Sequence, residues 1–419
     1  MTDPGAVEVD LLVVGGGKAG KSLAMDRATA GWSVVMVERD KIGGTCINVA
    51  CIPTKALVGS ARTLLSARHA AQMGIVVSEP TVNLDLLRHH KASVVDGMVT
   101  AHEEMFTRSG MDFVLGTARF VSPRTVDITA ADGRSRRVRG RDVVINTGTT
   151  PAVPDLPGIA DARVWTSESI LRLERIPTTL AIVGGGYIGC EFASMFATFG
   201  SRVTLLHSGS RLLTREDPEV AAAMAELLAE QGVDVRLGAR AAGVHRSEGK
   251  GDVVVAVEGG SDLNVQEVRV ATGRAPVTHA SWSDFRVLRE NLTGGDAVTT
   301  GRLVPYTVFT TPELARIDMT ETEARARGHQ VKMARLAAGA IPRSTTLHDD
   351  IGRWMAVVDA DTDLILGAAL FGHDAGEVIS AVQMAMLGGV RYQQVRDAVI
   401  THPTMGEGLN LLFDTLDHR

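Results

Sequence analysis

The chain has 419 residues, 45% of them apolar, a formal net charge of −6 and three cysteines. That length suits roughly two to four domains, each with its own core, and the acidic balance argues against nucleic acid or an anionic membrane as the main partner. The start, MTDPGAVEVDLLVVGGG, has acids where a signal peptide is basic, and no stretch reaches the roughly 20 apolar residues of a membrane span. A cytoplasmic protein is expected, in which a close cysteine pair is catalytic or sensing rather than structural.

Residues 8–14 form a compact apolar strand. Gly15, Gly17 and Gly20 follow in G-x-G-x-x-G spacing, then a helix-forming run, SLAMDRATAG, and a second strand, SVVMVE, that ends at Glu38. Such a strand, turn, helix and strand hold a dinucleotide. The first glycine permits the tight turn, the second lets the backbone approach a pyrophosphate, and the third lets the helix pack against the sheet. An acid about 20 residues on accepts the ribose hydroxyls.

The next run, GGTCINVACIPTK, sets Cys46 and Cys51 in C-x4-C spacing. The gap is wider than that of a zinc knuckle or a thioredoxin-type motif, and no second cysteine pair completes a metal site. A dithiol that opens and closes fits better, the plain alternative being two small buried thiols. His89 and His90 sit in a polar helical run and read as solvated.

The stretch RDVVINTGTTPAVPDLPG carries the chain out of the first unit, and VRVATGRAP plays the same part after the second. That second unit, TLAIVGGGYIGCEFASMFATFGSRVTLLH, repeats the glycine spacing at Gly184, Gly186 and Gly189. Its second strand ends at His207 instead of an acid. With Arg202 and Arg211 nearby, this tilts the nicotinamide cofactor toward NADPH over NADH. Cys190, among apolar helix residues, reads as a buried small side chain. Beyond Gly301 come short strands (TVFTT, RWMAVVD, ILGAALF) and amphipathic helices (EVISAVQMAMLGG, YQQVRDAVI), an α+β arrangement ending in THPTMGEGLNLLF. Met384 and Met386 read as helix core, not as copper ligands.

Two nucleotide units, a C-x4-C pair after the first, and His-Pro-Thr with a later Glu near the C-terminus together resemble the flavoprotein pyridine nucleotide-disulfide oxidoreductases. Glutathione reductase, dihydrolipoamide dehydrogenase and mercuric reductase belong to this family. The runs GKAGKSLA, GGTCINVACIPTKALV, REDPEVA, VPYTVFTTPELARIDMTETEA, AIPRSTTLHDD and HPTMGEGLN are most similar to its bacterial reactive-chlorine-resistance subgroup, associated with reduction of hypothiocyanous acid and Cu(II).

The resemblance implies an α/β fold of two Rossmann-like dinucleotide-binding domains plus a C-terminal α+β dimerisation domain. The expected boundaries are 1–150 (first part of the FAD domain), 151–277 (NAD(P) domain), 278–300 (remnant of the second FAD part) and 301–419 (dimerisation). It implies FAD on Gly15, Gly17, Gly20 and Glu38, and NAD(P)H on Gly184, Gly186 and Gly189. Thr45, Lys55, Ala118, Thr147, Gly148, His207, Arg211 and Gly273 complete the expected cofactor-binding residues.

Cys51 matches the family's thiolate lying against the flavin, and Cys46 the outer thiol that meets substrate. Lys55 and Glu191 match an ion pair beside the flavin, and Tyr187 the ring that gates the nicotinamide pocket. His402 and Glu407 match the acid-base dyad that serves the other subunit of a homodimer. The plain alternatives are a solvated Lys55, a helix-surface Glu191, a packing Tyr187 and a turn-stabilising His402.

The implied reaction passes electrons from NAD(P)H through FAD to a Cys46–Cys51 disulfide, then to a small thiol-reactive oxidant such as hypothiocyanous acid or a metal ion such as Cu(II). No resident metal is expected. The alternatives are mercuric reduction, weakened because no cysteine follows Cys190, and lipoamide or glutathione-type disulfide reduction. A reading of another class is a flavin-deficient, NAD(P)-binding redox sensor.

The pattern departs from the family at one point. A flavin-contacting strand ending in Gly-Asp is expected after VRVATGRAP, and HASWSDFRVLRENL follows almost directly instead. Its loss would leave sheet edges unpaired, so a segment omitted from the sequence is the favoured reading over a true deletion.

Overall fold

The computed structural model describes residues 5–162, 164–172, 174–247, 252–271 and 278–417. Two compact units emerge, one of residues 1–56, 85–151 and 274–302, the other of residues 57–84, 152–273 and 303–419.

In the first unit the run LLVV, apolar at every position, becomes part of β1 (Val7–Val14), with Leu11, Leu12 and Val13 fully buried. A strand covered on both faces needs no alternation of polar and apolar residues. After it come α1 (Lys18–Thr29), β2 (Val34–Glu38), α2 (Gly44–Asn48), α3 (Cys51–Arg68) and α4 (Leu84–Ser109). The long strand β3 (Asp112–Ser122), β4 (Thr125–Ala130) and a second long strand, β5 (Ser135–Ile145), complete the series.

β1 lies parallel to β2 and β5, and β2 parallel to β3, while β4 runs antiparallel to both β3 and β5 and closes a five-stranded barrel. Closure follows from strand length. The first four residues of β3 pair with β2 and the rest with β4. β5 pairs with β4 through Ser135–Arg139, and its last residues, from Asp142 to Ile145, pair with β1 alone.

In the second unit β6 (Thr179–Val183), α5 (Tyr187–Thr198), β7 (Arg202–His207), α6 (Pro218–Glu230) and β8 (Asp234–Leu237) repeat the strand-helix alternation. An antiparallel trio follows, β9 (Ala241–Arg246), β10 (Val253–Val257) and β11 (Leu263–Val265), and then β12 (Glu267–Val270). The sheet β12-β6-β7-β8 is parallel throughout, as a doubly wound nucleotide fold requires.

The chain then returns to the first unit as α7 (Thr278–Asn291), whose Phe285 joins Leu11, Leu23 and Phe106 in one core. Only seven residues separate Val270 from Thr278, and the 419-residue chain is continuous across them. The Gly-Asp strand is therefore absent from the chain itself, which corrects the expectation of an omitted segment. Among the described residues no strand pairs with the outer edge of β5 beyond Asp142, and Ile145 there is 66% exposed.

The remaining strands are β13 (Tyr306–Val308), β14 (Glu313–Asp318), β15 (Val331–Ala337), β16 (Arg353–Asp359) and β17 (Ile365–Gly372), an antiparallel sheet in the order β13-β14-β17-β16-β15. Around it lie the helices α8 (Glu321–Ala326), α9 (Pro342–Leu347), α10 (Ala375–Leu387), α11 (Tyr392–Arg396) and α12 (Gly408–Asp414). On α10, Val378, Ile379 and Val382 face the core with Met386 packed beside them, whereas Met384 falls on the opposite face and is 58% exposed in the protomer. The expectation of a core Met384 is corrected by that helical phase. Among the described residues no helix is long and apolar enough to cross a membrane.

The second unit holds two buried arginines of opposite character. Arg316 donates to Glu216 at 3.2 Å, to Glu323 at 2.8 Å and to the Arg215 carbonyl at 2.8 Å, and Tyr306 also bonds Glu216. This network clips the REDPEVA run to the C-terminal sheet. Arg269 on β12 is fully buried, stacks at 3.8 Å over the Phe192 ring and, among the described residues, has no hydrogen-bond partner for its guanidinium; burial pushes its pKa down to about 9 against the pull of the Glu191 charge.

A buried cation inside a satisfied network is costly to remove, whereas an unsatisfied one is costly to keep. Arg316→Met is expected to lower unfolding stability by about 3–5 kcal/mol. Chemical denaturation of the variant beside the parent checks the loss.

Candidate active site

The first glycine turn joins β1 to α1. Gly15 has φ +106°, and a Cβ there would lie 2.2 Å from the Asn146 carbonyl oxygen. Asn146 also donates to the Gly15 carbonyl at 3.0 Å, so β5 closes the turn from below. The Gly16 N–H donates to Glu38 Oε2 at 2.7 Å and the Asp40 N–H to Oε1 at 2.9 Å. Gly17 caps α1, whose first turn carries Lys18 and Lys21 and no acid. A helix N-terminus with open amides and cations suits a pyrophosphate. Thr45 lies on α2, Ala118 on β3, and the exposed Thr147 and Gly148 follow β5.

The second turn repeats this plan between β6 and α5. Gly184 has φ +115°, and a Cβ at Gly189 would lie 1.9 Å from the Gly184 carbonyl, whereas one at Gly186 would meet only open space. His207 takes the part that Glu38 plays in the first turn: its Nδ1 accepts the Gly185 N–H at 3.2 Å. Burial pushes its pKa down, so the ring is neutral and carries no charge against a phosphate. Arg211 is exposed nearby in sequence and bonds the Thr214 carbonyl at 3.2 Å. Gly273 lies outside the described residues.

The cysteines belong to the first unit. Gly43, at φ +97°, caps α2, which carries Cys46; Cys51 opens α3, and Lys55 follows four residues later on the same helical face. Both thiols are free and half-buried, and they are hydrogen-bonded to each other. Cys51 Sγ lies 3.4 Å from Thr278 Oγ1. The bond to Cys51, with burial second, raises the pKa of Cys46, and Lys21 and Thr278 pull it back.

In the second unit Tyr187 opens α5 and is half-buried, and Glu191, one turn on, is 5% exposed and accepts the Phe309 N–H at 2.9 Å. That burial removes the reading of Glu191 as a surface acid. Cys190 is fully buried, as expected, while His89 and His90 are exposed on α4. His402 Nδ1 lies 2.7 Å from Glu407 Oε2, which fixes the imidazole tautomer and leaves Nε2 outward on a side chain that is 68% exposed.

The residues that sequence reasoning missed are Lys21, His102, Asn146 and Thr278. Only Lys21 carried a signal, a second lysine on a helix whose first turn must face the sheet.

A family model described as pyridine nucleotide-disulphide oxidoreductase matches residues 9–291, and one for that family's dimerisation domain matches residues 304–412. The chain belongs to the pyridine nucleotide-disulphide oxidoreductases. It is 35% identical to the probable pyridine nucleotide-disulfide oxidoreductase RclA of Escherichia coli, with 96% of this chain and 98% of the relative covered. It is 29% identical to a mercuric reductase of Staphylococcus aureus, with 98% and 83% covered. A solved Cu(II) complex of the HOCl-induced flavoprotein disulfide reductase RclA from Escherichia coli superposes with a TM-score of 0.89 at 33% identity, covering 98% of this chain and all of that one. The alignment to the RclA relative runs over 454 residues against 419 here, so the relative carries residues with no counterpart in this chain.

The family's members are flavoprotein oxidoreductases that use FAD and NAD(P)H. The residues present fit the adenine-dinucleotide half of FAD, through the Gly15 turn, the α1 N-terminus and Glu38. For the ribityl half the chain lacks the Gly-Asp strand.

The contact between Cys46 and Cys51 and the burial of Cys190 generate a thiol-count prediction. Mild oxidation of the folded protein is expected to reduce the three thiols found after denaturation to one, assigned to Cys190 by peptide mass spectrometry.

Proposed function

We propose that the protein is an NADPH-dependent flavoprotein that reduces a small thiol-reactive oxidant, of the hypothiocyanous acid type, or Cu(II), through a Cys46–Cys51 disulfide and as a homodimer. The carrying observation is the mutual hydrogen bond of two half-buried thiols beside the first glycine turn. The similarity to a protein solved as a Cu(II) complex and described as HOCl-induced supports the acceptor class. Mercuric reduction is less favoured, because no cysteine follows Cys190 to receive the metal.

When bound, FAD supplies a two-electron relay between nicotinamide and sulfur. Cys46 is the outer thiol. As thiolate it attacks the sulfur of hypothiocyanous acid, forming a Cys46 sulfenyl thiocyanate and releasing hydroxide; Cys51 thiolate then attacks Cys46 sulfur, closing the disulfide and expelling thiocyanate. With Cu(II), two ions each take one electron as the same bond closes.

The His402–Glu407 pair of the second subunit is the base that ionises Cys46 and the acid that protonates the leaving group. A histidine whose Nδ1 is held by a carboxylate moves a proton at Nε2. Lys55 and Glu191 each keep the role toward the flavin that the resemblance gives them, and Tyr187 gates the nicotinamide.

Cys46→Ser is expected to lower NADPH-dependent reduction of hypothiocyanous acid by about 1000-fold or more, while anaerobic stopped-flow still records bleaching of the flavin by NADPH. Unchanged turnover rejects Cys46 as the outer thiol. His207→Glu places an anion where the ring is neutral and is expected to move the ratio of kcat/KM for NADPH over NADH about five- to tenfold toward NADH, read from steady-state kinetics with both cofactors.

A further inference from the structure

Lys21 lies on α1 just past the glycine turn and is only 2% exposed. Its ammonium sits 2.7 Å from His102 Nε2 and donates to the Gly43 carbonyl at 3.4 Å. His102 Nδ1 lies 2.7 Å from the Met98 carbonyl. A carbonyl only accepts, so Nδ1 carries the ring proton and Nε2 offers its lone pair to the ammonium. Burial, aided by the charges of Lys21 and Lys18, pushes the His102 pKa down and keeps this ring neutral.

The charged or titratable groups that face Lys21 are Lys18 on its own helix, His102 on α4 and Cys46 on α2; those acting on Cys46 are Cys51 on α3 and Lys21, with the Thr278 hydroxyl on α7 also bonded. Lys18 turns to the Trp282 ring, 4.3 Å from its centroid. Among the described residues no carboxylate pairs with Lys21. A buried ammonium without an anion is unfavourable, and burial accordingly lowers its pKa to about 8. The neighbour able to become an anion is the thiol of Cys46.

We propose that Lys21 is a positioning residue for the dithiol: it ties down the Gly43 turn that carries Cys46, and it is the fixed counter-charge for the anion that appears on the sulfur pair when the disulfide is reduced. This rests on the dithiol reading above. In that step the S–S bond breaks, two electrons enter from NADPH by way of the flavin, one proton binds one sulfur, and the other sulfur remains a thiolate. The hydrogen bond between Cys46 and Cys51 spreads the charge over both, so a cation beside Cys46 acts on the pair. His102 holds the ammonium in place without adding charge.

The test uses the full chain, reduced anaerobically, and follows carbamidomethylation of Cys46 against pH by peptide mass spectrometry in the parent, Lys21→Met, Lys21→Arg and His102→Leu. Lys21→Met is expected to move the Cys46 profile to higher pH, slowing alkylation at pH 7 about tenfold, with Lys21→Arg retaining most of the parent rate. His102→Leu is expected to shift the profile the same way but less, and supplies the reading if Lys21→Met does not fold. The disulfide of Lys21→Met is also expected to be harder to reduce by tenfold in its equilibrium with glutathione, about 30 mV.

A parent that forms the Cys46–Cys51 disulfide, with Cys46 profiles unchanged in the variants, overturns the role of Lys21 and leaves the dithiol function standing. A parent that cannot form that disulfide overturns the dithiol function, and this inference with it.

Discussion

Both nucleotide turns depend on one constraint: the amide of the middle glycine must find an acceptor at the end of the next strand. In the first turn that acceptor is Glu38 and in the second His207. Once the amide is held, a glycine at positive φ turns the chain back over the sheet, and the third glycine lets the helix come so close that a Cβ would strike the turn's own carbonyl. The helices that start there carry the residues to which the proposal assigns the chemistry. α1 presents Lys21, and α5 presents Tyr187 and buries Glu191. A single acceptor side chain thus sets both the phosphate cradle and the direction of a helix. Its chemical type, carboxylate or neutral imidazole, would set the charge that a bound ribose meets.

Local grammar made much of this legible in the sequence. The strand, glycine and helix order of both units is written in residues that allow few alternatives, and the parallel strands announce themselves as unbroken apolar runs. Legibility ended where the determining contact lies far along the chain. β14 and β15 were not expected, because ELARID and VKMARLA mix charges with apolar residues and become strands by pairing with β17 and β16. YQQVRDAVI is helical only over Tyr392–Arg396, since its later residues are turned aside before His402. His102 reaches Lys21 across 81 positions, a pairing that no local spacing encodes.

The buried charges follow one rule with different outcomes. Arg316 sits among carboxylates and carbonyls that answer each of its directions, and the REDPEVA run is thereby fixed to a sheet some 100 residues later. Among the described residues Arg269 has an aromatic face, the Glu191 charge and no hydrogen bond, and burial lowers its proton affinity. Lys21 stands between these cases, with two neutral acceptors and, among the described residues, no carboxylate partner. A structural cation would be expected to have recruited a carboxylate. One that faces a thiol has an anion available only in one oxidation state, so its electrostatic compensation depends on the redox state of the sulfur pair.

That dependence gains weight from the missing strand. Without the Gly-Asp segment the flavin site keeps the turn, the α1 N-terminus and Glu38, all of which act on the adenine half, while the outer edge of β5 beyond Asp142 has no strand partner among the described residues. An isoalloxazine bound in this unit would be held by the elements that remain near the sulfurs: α2 with its Gly43 cap, the start of α3, and α7 through Thr278. Lys21 binds the first of these directly and Thr278 the second, so the geometry of the dithiol is maintained by contacts inside the first unit and does not require the lost strand. A chain can therefore shed part of its flavin cradle and still keep two sulfurs in bonding reach of one another, provided that the Gly43 turn stays anchored.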